Sequence, residues 1–240
     1  MNYIKKLKYM SGEWRLMKVK YFVFATGLII VVLMVAGLIY KNTYEDYNDR
    51  AEPLDNFIVG IMPDELAEIQ IEKMDEQLDE SNIIIAAECV EKPLWRFGCI
   101  TERVKIKSVF KGEGLQSGDV IDVAREANCI FSEIKIDGMS SINMSFVRAM
   151  IPGETYLIFL DEKLELRDAD NIYDQSGQFL IAPIFCYNET ISIPYKSISE
   201  DGNEQKYINV KESEFFLMSE KSIEQMYELK RDLLTRYSIE

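Results

Sequence analysis

Hydrophobic and polar positions divide the chain sharply after its first twenty residues. Residues 21–40 (YFVFATGLIIVVLMVAGLIY) form an uncharged run bounded by Lys20 and Lys41. A helix rising about 1.5 Å per residue carries such a run across roughly 30 Å, the thickness of a bilayer core. A cleaved secretory signal has a shorter apolar region, about 7 to 15 residues, followed by small residues at the cut. Here the best small-residue site, Val35-Ala36-Gly37, lies inside the run, so an uncleaved signal anchor is expected. Lys5, Lys6, Lys8, Arg15, Lys18 and Lys20 precede the run, against Lys41 and Arg50 just after it. The positive-inside tendency then predicts a basic cytoplasmic tail over 1–20, a transmembrane helix over 21–40 and an extracytoplasmic remainder.

After the run the pattern breaks into short segments. Residues 41–62, with Pro53, read as a juxtamembrane stalk. Pro63-Asp64-Glu65 opens a predicted helix up to Ser81, with carboxylates placed to complement its dipole and Leu66, Ile69, Met74 and Leu78 as its apolar face. The period then shortens. Ile83-Ile84-Ile85-Ala86-Ala87 reads as a buried strand, and Ile100, Val104 and Ile106 alternate with polar neighbours. Further strands are predicted at 120–123, 143–150, 156–160, 179–187 and 190–195, separated by Gly and Pro turns such as Pro152-Gly153. Six or seven short strands at this spacing predict a mainly β domain, a small antiparallel OB-like barrel over 63–218 with its leading helix. Over 219–240 the period returns to that of a helix, with Ser222 to Gln225 matching a capping box; this helix is expected to pack on the barrel.

Charge and composition narrow the function. The net charge of −14 combines +5 over residues 1–20 with −19 over 41–240. An outer part this acidic disfavours nucleic acid as a partner, while the basic tail suits the anionic face of the cell membrane. The absence of histidine excludes Ser-His-Asp triads, Cys-His pairs and His-ligated zinc. Cys89, Cys99, Cys129 and Cys186 all follow the span, and an even number in an extracytoplasmic segment points to two disulfides. Three connectivities are open, with Cys89–Cys99 and Cys129–Cys186 favoured because the first pair flanks an expected hairpin turn; four free thiols are the alternative.

The order of SNIIIAA (81–87), VKIKSVFKG (104–112), GDVIDV (118–123) and PGETYLIFL (152–160) resembles a mostly uncharacterised class of exported bacterial domains of Gram-positive type. The barrel of that class is similar to the OB-like fold of tissue inhibitors of metalloproteinases. The resemblance covers roughly residues 80–185 and implies an extracytoplasmic barrel, with no catalytic residues to transfer. The animal inhibitors use a free N-terminal cysteine on the protease metal, which a cytoplasmic N-terminus does not provide.

Candidate chemistry is sparse. Ser132 and Lys135 spell S-x-x-K, the pattern of a Ser-Lys hydrolase directed at wall or peptide, but no K-T-G element accompanies them. Asp168, Asp170 and Asp174 begin like a calcium loop, yet Ile172, Tyr173 and Phe179 stand where such a loop wants an oxygen ligand, glycine and glutamate, so 167–177 reads as a solvated loop. Trp95 and Phe97 are the candidate binding residues, as an aromatic platform on the barrel. The acidic helix after Pro63 is a second candidate contact, for a basic partner. The expectation is a membrane-tethered extracytoplasmic module that binds or inhibits an envelope protein or polymer, without catalysis, cofactor or metal. A structural subunit of an envelope or sporulation complex is a further alternative.

Overall fold

The structure is a computed structural model that describes residues 2–43, 48, 51–52, 54–55, 57–96, 99–125, 135–136, 139–165, 171–175, 178–195 and 204–239. It divides into two units, 1–49 and 50–240. The first unit contains the helix α1 (Asn2–Thr43). Within it Tyr21–Lys41, 21 residues of mean hydropathy 2.8 with none buried, is long and apolar enough to cross a membrane. Inside this stretch Thr26 Oγ1 donates to the Phe22 carbonyl at 2.9 Å, so its hydroxyl adds no unpaired polar group.

The second unit runs in the order β1 (Ile58–Gly60), α2 (Asp64–Gln77), β2 (Ile83–Cys89), β3 (Leu94–Arg96), β4 (Cys99–Lys111), β5 (Val120–Arg125), β6 (Lys135–Ile136), β7 (Met139–Ser140), β8 (Thr155–Lys163), β9 (Ile172–Gln175), β10 (Ile184–Cys186), β11 (Glu204–Lys206), α3 (Tyr207–Val210) and α4 (Glu220–Arg236). It is mainly β. Strands β8, β2, β4, β5 and β9 pair in that order, and β9 pairs back onto β8, which closes a five-stranded barrel. This is the expected small OB-like barrel with a helix on either side in sequence, except that β5 and β9 run parallel. β3 extends one edge beside β4, and β10 lies outside β8. The buried run of β2 packs with Val104, Ile106, Phe159 and Phe185, and Met74 of α2, Leu78 just after it, and Met226 and Leu233 of α4 join the same core.

The structure departs from the sequence pattern at six places. Residues 190–195, predicted as a strand, make only an isolated bridge, between Ile191 and Ser213. Residues 54–62 are not a free stalk: Leu54, Phe57, Ile58, Val59, Ile61 and Met62 are buried, and β1 pairs with β11. The buried face of α2 is Ala67, Ile71 and Met74, continued by Leu78 in the 3-10 turn that follows, at spacings of four, three and four, which leaves Leu66 and Ile69 exposed. Residues 143–150 form a loop rather than a strand, because Ser145 and Phe146 adopt positive φ of 49° and 58°. Strand β9 lies inside the segment read as a solvated loop, and Ile172 and Tyr173 are buried as they close the barrel. The N-cap of α4 is Ser219, one turn before the predicted capping box; its hydroxyl accepts from the Ser222 amide at 3.2 Å.

The favoured disulfides are also corrected. Cys89 and Cys186 are buried free thiols, so neither Cys89–Cys99 nor Cys129–Cys186 forms. Register explains the first: Cys89 lies opposite Val104, five residues along β4 from Cys99. At about 3.3 Å per residue that is roughly 16 Å, far beyond the ~7 Å Cα separation a disulfide spans. Cys129 lies outside the described residues.

Candidate functional site

The site grows from a buried charged pair. Arg125 ends β5 and Glu102 sits in β4, and both side chains are fully excluded from solvent. The guanidinium Nε donates to Glu102 Oε2 at 2.5 Å. Its remaining donors go to the carbonyls of Met144 (3.1 Å), Val147 (2.8 Å) and Arg148 (2.5 Å). Arginine fits here because its planar fork can satisfy several acceptors at once without losing its charge. Glu102 in turn accepts from the Met150 amide.

Two tyrosines extend the clamp. Tyr207, at the start of α3, accepts from the Ala149 amide at 3.1 Å, and burial pushes its phenol up to about 12. Tyr156, in β8, accepts from the Ile151 amide at 2.8 Å and donates to Glu154 at 2.9 Å. Burial raises its pKa well above the ordinary phenol value, so it acts here as a neutral hydrogen-bonding group. Residues 147–151 are thus held by four side chains from β4, β5, β8 and α3, and the strained turn at Ser145-Phe146 is locked by the same guanidinium. A backbone fixed in this way loses little further entropy when something docks on it.

The fixed loop forms one wall of a cleft of about 280 Å³. Ala149, Met150, Ile151 and Pro152 line it on one side, Leu54 and Pro93 on others, and Lys92, Lys211, Glu52 and Glu212 bring charge to it. Ile151 is 38% exposed. Lys211 donates to both Asp55 oxygens at 3.1 Å, and its pKa is raised chiefly by that bond. Lys92 donates to the Ala51 carbonyl at 2.7 Å and faces Glu52 at 3.7 Å. The cleft therefore offers an apolar wall with paired charges at its edge.

A second cleft, of about 410 Å³, lies between α2 and α4 and brings Glu68, Glu72 and Asp75 toward Glu228 and Asp232. Among the described residues no group of three or more His, Cys, Asp or Glu side chains is placed to hold a metal ion. A further buried pair, Glu214 with Lys230 at 2.6 Å, fixes α4: Lys230 also donates to Thr190 at 2.8 Å, and Glu214 accepts from the Cys186 amide at 2.8 Å.

The residues singled out from the sequence fall elsewhere. Trp95 lies in β3 opposite Ile100, with its side chain outside the described residues, as is Phe97. Ser132 is also outside them, and Lys135 is described only as backbone in β6. Cys89 donates to the Glu91 carbonyl at 3.2 Å and Cys186 to Glu154 at 3.2 Å. Burial pushes their thiols up to about 12 and about 11, the opposite of what an activated nucleophile needs. The clamp residues Glu102, Arg125, Tyr156 and Tyr207 carry no sequence motif. The one available signal was charge at inward positions of strands that otherwise read as apolar. No known protein family and no curated protein matches the chain.

Proposed function

We propose that this chain is a membrane-tethered binding module, with its N-terminus cytoplasmic and residues 50–240 outside, acting on a protein of the cell envelope without catalysis. The observation that carries this reading is the loop 147–151, pinned from within by Arg125, Glu102, Tyr207 and Tyr156 yet presenting Ile151 and Pro152 to an open cleft. Rigid apolar anchors in a preformed depression are what a partner side chain docks on. The non-catalytic part of the reading is supported by the use of these ionisable groups, which bind backbone. The tether is supported by the apolar segment of α1, and the orientation by the six basic residues before it.

The test is site-specific photocrosslinking in the full-length protein in its native membrane. A photoreactive residue replacing Ile151 is expected to give a discrete adduct with one envelope protein. The same residue at Val120 or Ile69, which are exposed outside the cleft, is expected to give none. Equal labelling from all three positions would sink the reading.

A further inference from the structure

Helices α2 and α4 run parallel and are tied at both ends. Asp64, in the first turn of α2, accepts from the Ser222 hydroxyl in the first turn of α4 at 2.7 Å. Asp79, just past α2, accepts from the Tyr237 hydroxyl at 2.7 Å and from Arg236. Between these ties lies the groove of about 410 Å³, floored by the buried Ile71 and Leu229. Its charged walls are all of one sign: Glu68, Glu72 and Asp75 recur at i, i+4 and i+7 along α2, and Glu228 and Asp232 at i and i+4 along α4. The cations of the two helices do not neutralise it. Lys73 is bonded to the Gln178 carbonyl, Lys230 to Glu214 and Arg236 to Asp79. Lys221 meets Glu68 at 3.4 Å and Arg231 meets Glu228 at 3.8 Å, but all four side chains are largely exposed, so these pairs hold weakly. Glu72, Asp75 and Asp232 form no ion pair among the described residues, and Gln225, on the same wall, keeps a buried Oε1 that accepts no hydrogen bond there.

Like charges set across a packed interface cost free energy, and paired helices ordinarily place opposite charges there. Here the two walls repel each other and are rich in acceptors, so an occupant that brings N–H donors and positive charge relieves both conditions. We propose that the groove takes a lysine-rich segment of a partner protein, whose ammonium groups lie between the two rows of carboxylates and whose alkyl stems cover Ile71 and Leu229. Lysine suits such a site because its stem packs on apolar surface while its head stays at the polar rim. The spacing agrees as well: an i, i+4 step along a helix rises about 6 Å, and alternate residues of an extended chain stand about 6.6 Å apart. The −19 charge over residues 41–240 draws a basic segment toward the domain. This site goes beyond the reading above, since it shares no residue with the cleft at Ile151.

The experiment titrates the full chain in nonionic detergent micelles with Ac-Lys-Ala-Lys-Ala-Lys-NH2, using Ac-Gln-Ala-Gln-Ala-Gln-NH2 as control. The salt is held at about 0.15 M, where charges beyond roughly 8 Å are largely screened. Glu72→Gln/Asp232→Asn, which removes one acid from each wall, is expected to weaken binding of the lysine peptide about tenfold. Glu162→Gln/Glu165→Gln makes the same change of charge at exposed positions outside the groove and is expected to alter binding less than about twofold. The glutamine peptide is expected not to bind. Thermal unfolding midpoints verify that each variant is folded, and Asp75→Asn/Glu228→Gln takes the place of Glu72→Gln/Asp232→Asn if that one is not. Equal weakening by the groove variant and the distant variant would assign binding to net charge alone and overturn the proposal. Absence of lysine-peptide binding to wild type, or equal binding of the two peptides, overturns it too. None of these outcomes bears on the Ile151 crosslink, which judges the binding reading separately.

Discussion

Arg125 is the residue on which the site depends. It is fully buried, it spends its guanidinium on one carboxylate and three backbone carbonyls, and it does so from the last position of β5. Burying two charges is unfavourable by itself, so the Arg125–Glu102 pair is better understood as specifying the loop than as adding net stability. Removing one partner is another matter, since the other charge is left buried and three carbonyls lose their donors. Arg125→Leu is expected to lower unfolding free energy by about 3–5 kcal/mol, measured by denaturant titration. A loss under about 1 kcal/mol would mean that the loop does not need the clamp. Neither the pairing with Glu102 nor the distant carbonyls could be read from the sequence, because they lie between 19 and 23 residues from Arg125.

At the level of elements, period and burial predicted β2, β4, β5 and β8 well, since each is a local apolar or alternating run. They missed β9, which has only four residues and becomes a strand through pairing with two neighbours on different parts of the chain. The N-cap of α4 was misplaced by one turn for a related reason. Ser219 and Ser222 are both competent caps by composition, and tertiary contact decides between them. The Ser222 hydroxyl donates to Asp64 at 2.7 Å, which ties α4 to the first turn of α2 and leaves Ser219 to cap. That bond, followed by one from Ser219, is the leading reason the Asp64 carboxyl is held below its ordinary value. Ser219→Ala is expected to cost about 1 kcal/mol, the usual worth of an N-cap, in thermal or denaturant unfolding. No measurable change would return the cap to Ser222.

For the whole molecule, burial of neutral acids makes stability sensitive to alkaline pH. Cys89, Cys186 and Tyr207 have ordinary pKa values of 9, 9 and 10, and burial pushes them up to about 12, 11 and 12. The unfolded chain therefore gives up these protons first, and the folded state keeps them. Stability is full below about pH 9 and falls as pH rises toward 11–12, by about 1.4 kcal/mol per pH unit for each group. Denaturant unfolding at successive pH values from 8 to 11 is expected to show this decline. Cys89→Ala/Cys186→Ala is expected to move its onset from about pH 9 to about pH 10, where the contribution of Tyr207 begins. A profile unchanged by that double substitution would contradict the buried-thiol assignment.

Local runs of residues suffice for one segment apolar enough for a bilayer, a barrel-forming series of strands, helices at 64 and 220, and the split of charge between a basic tail and an acidic remainder. Those features follow from burial and periodicity over a few adjacent residues. Long-range packing settles which cysteines stand apart, that Leu54 and 57–62 belong to the folded unit, how the barrel closes, and where the cleft lies. Each of these depends on residues brought together across long stretches of chain, where strand register and a handful of buried polar contacts choose among arrangements that the hydrophobic pattern leaves equivalent.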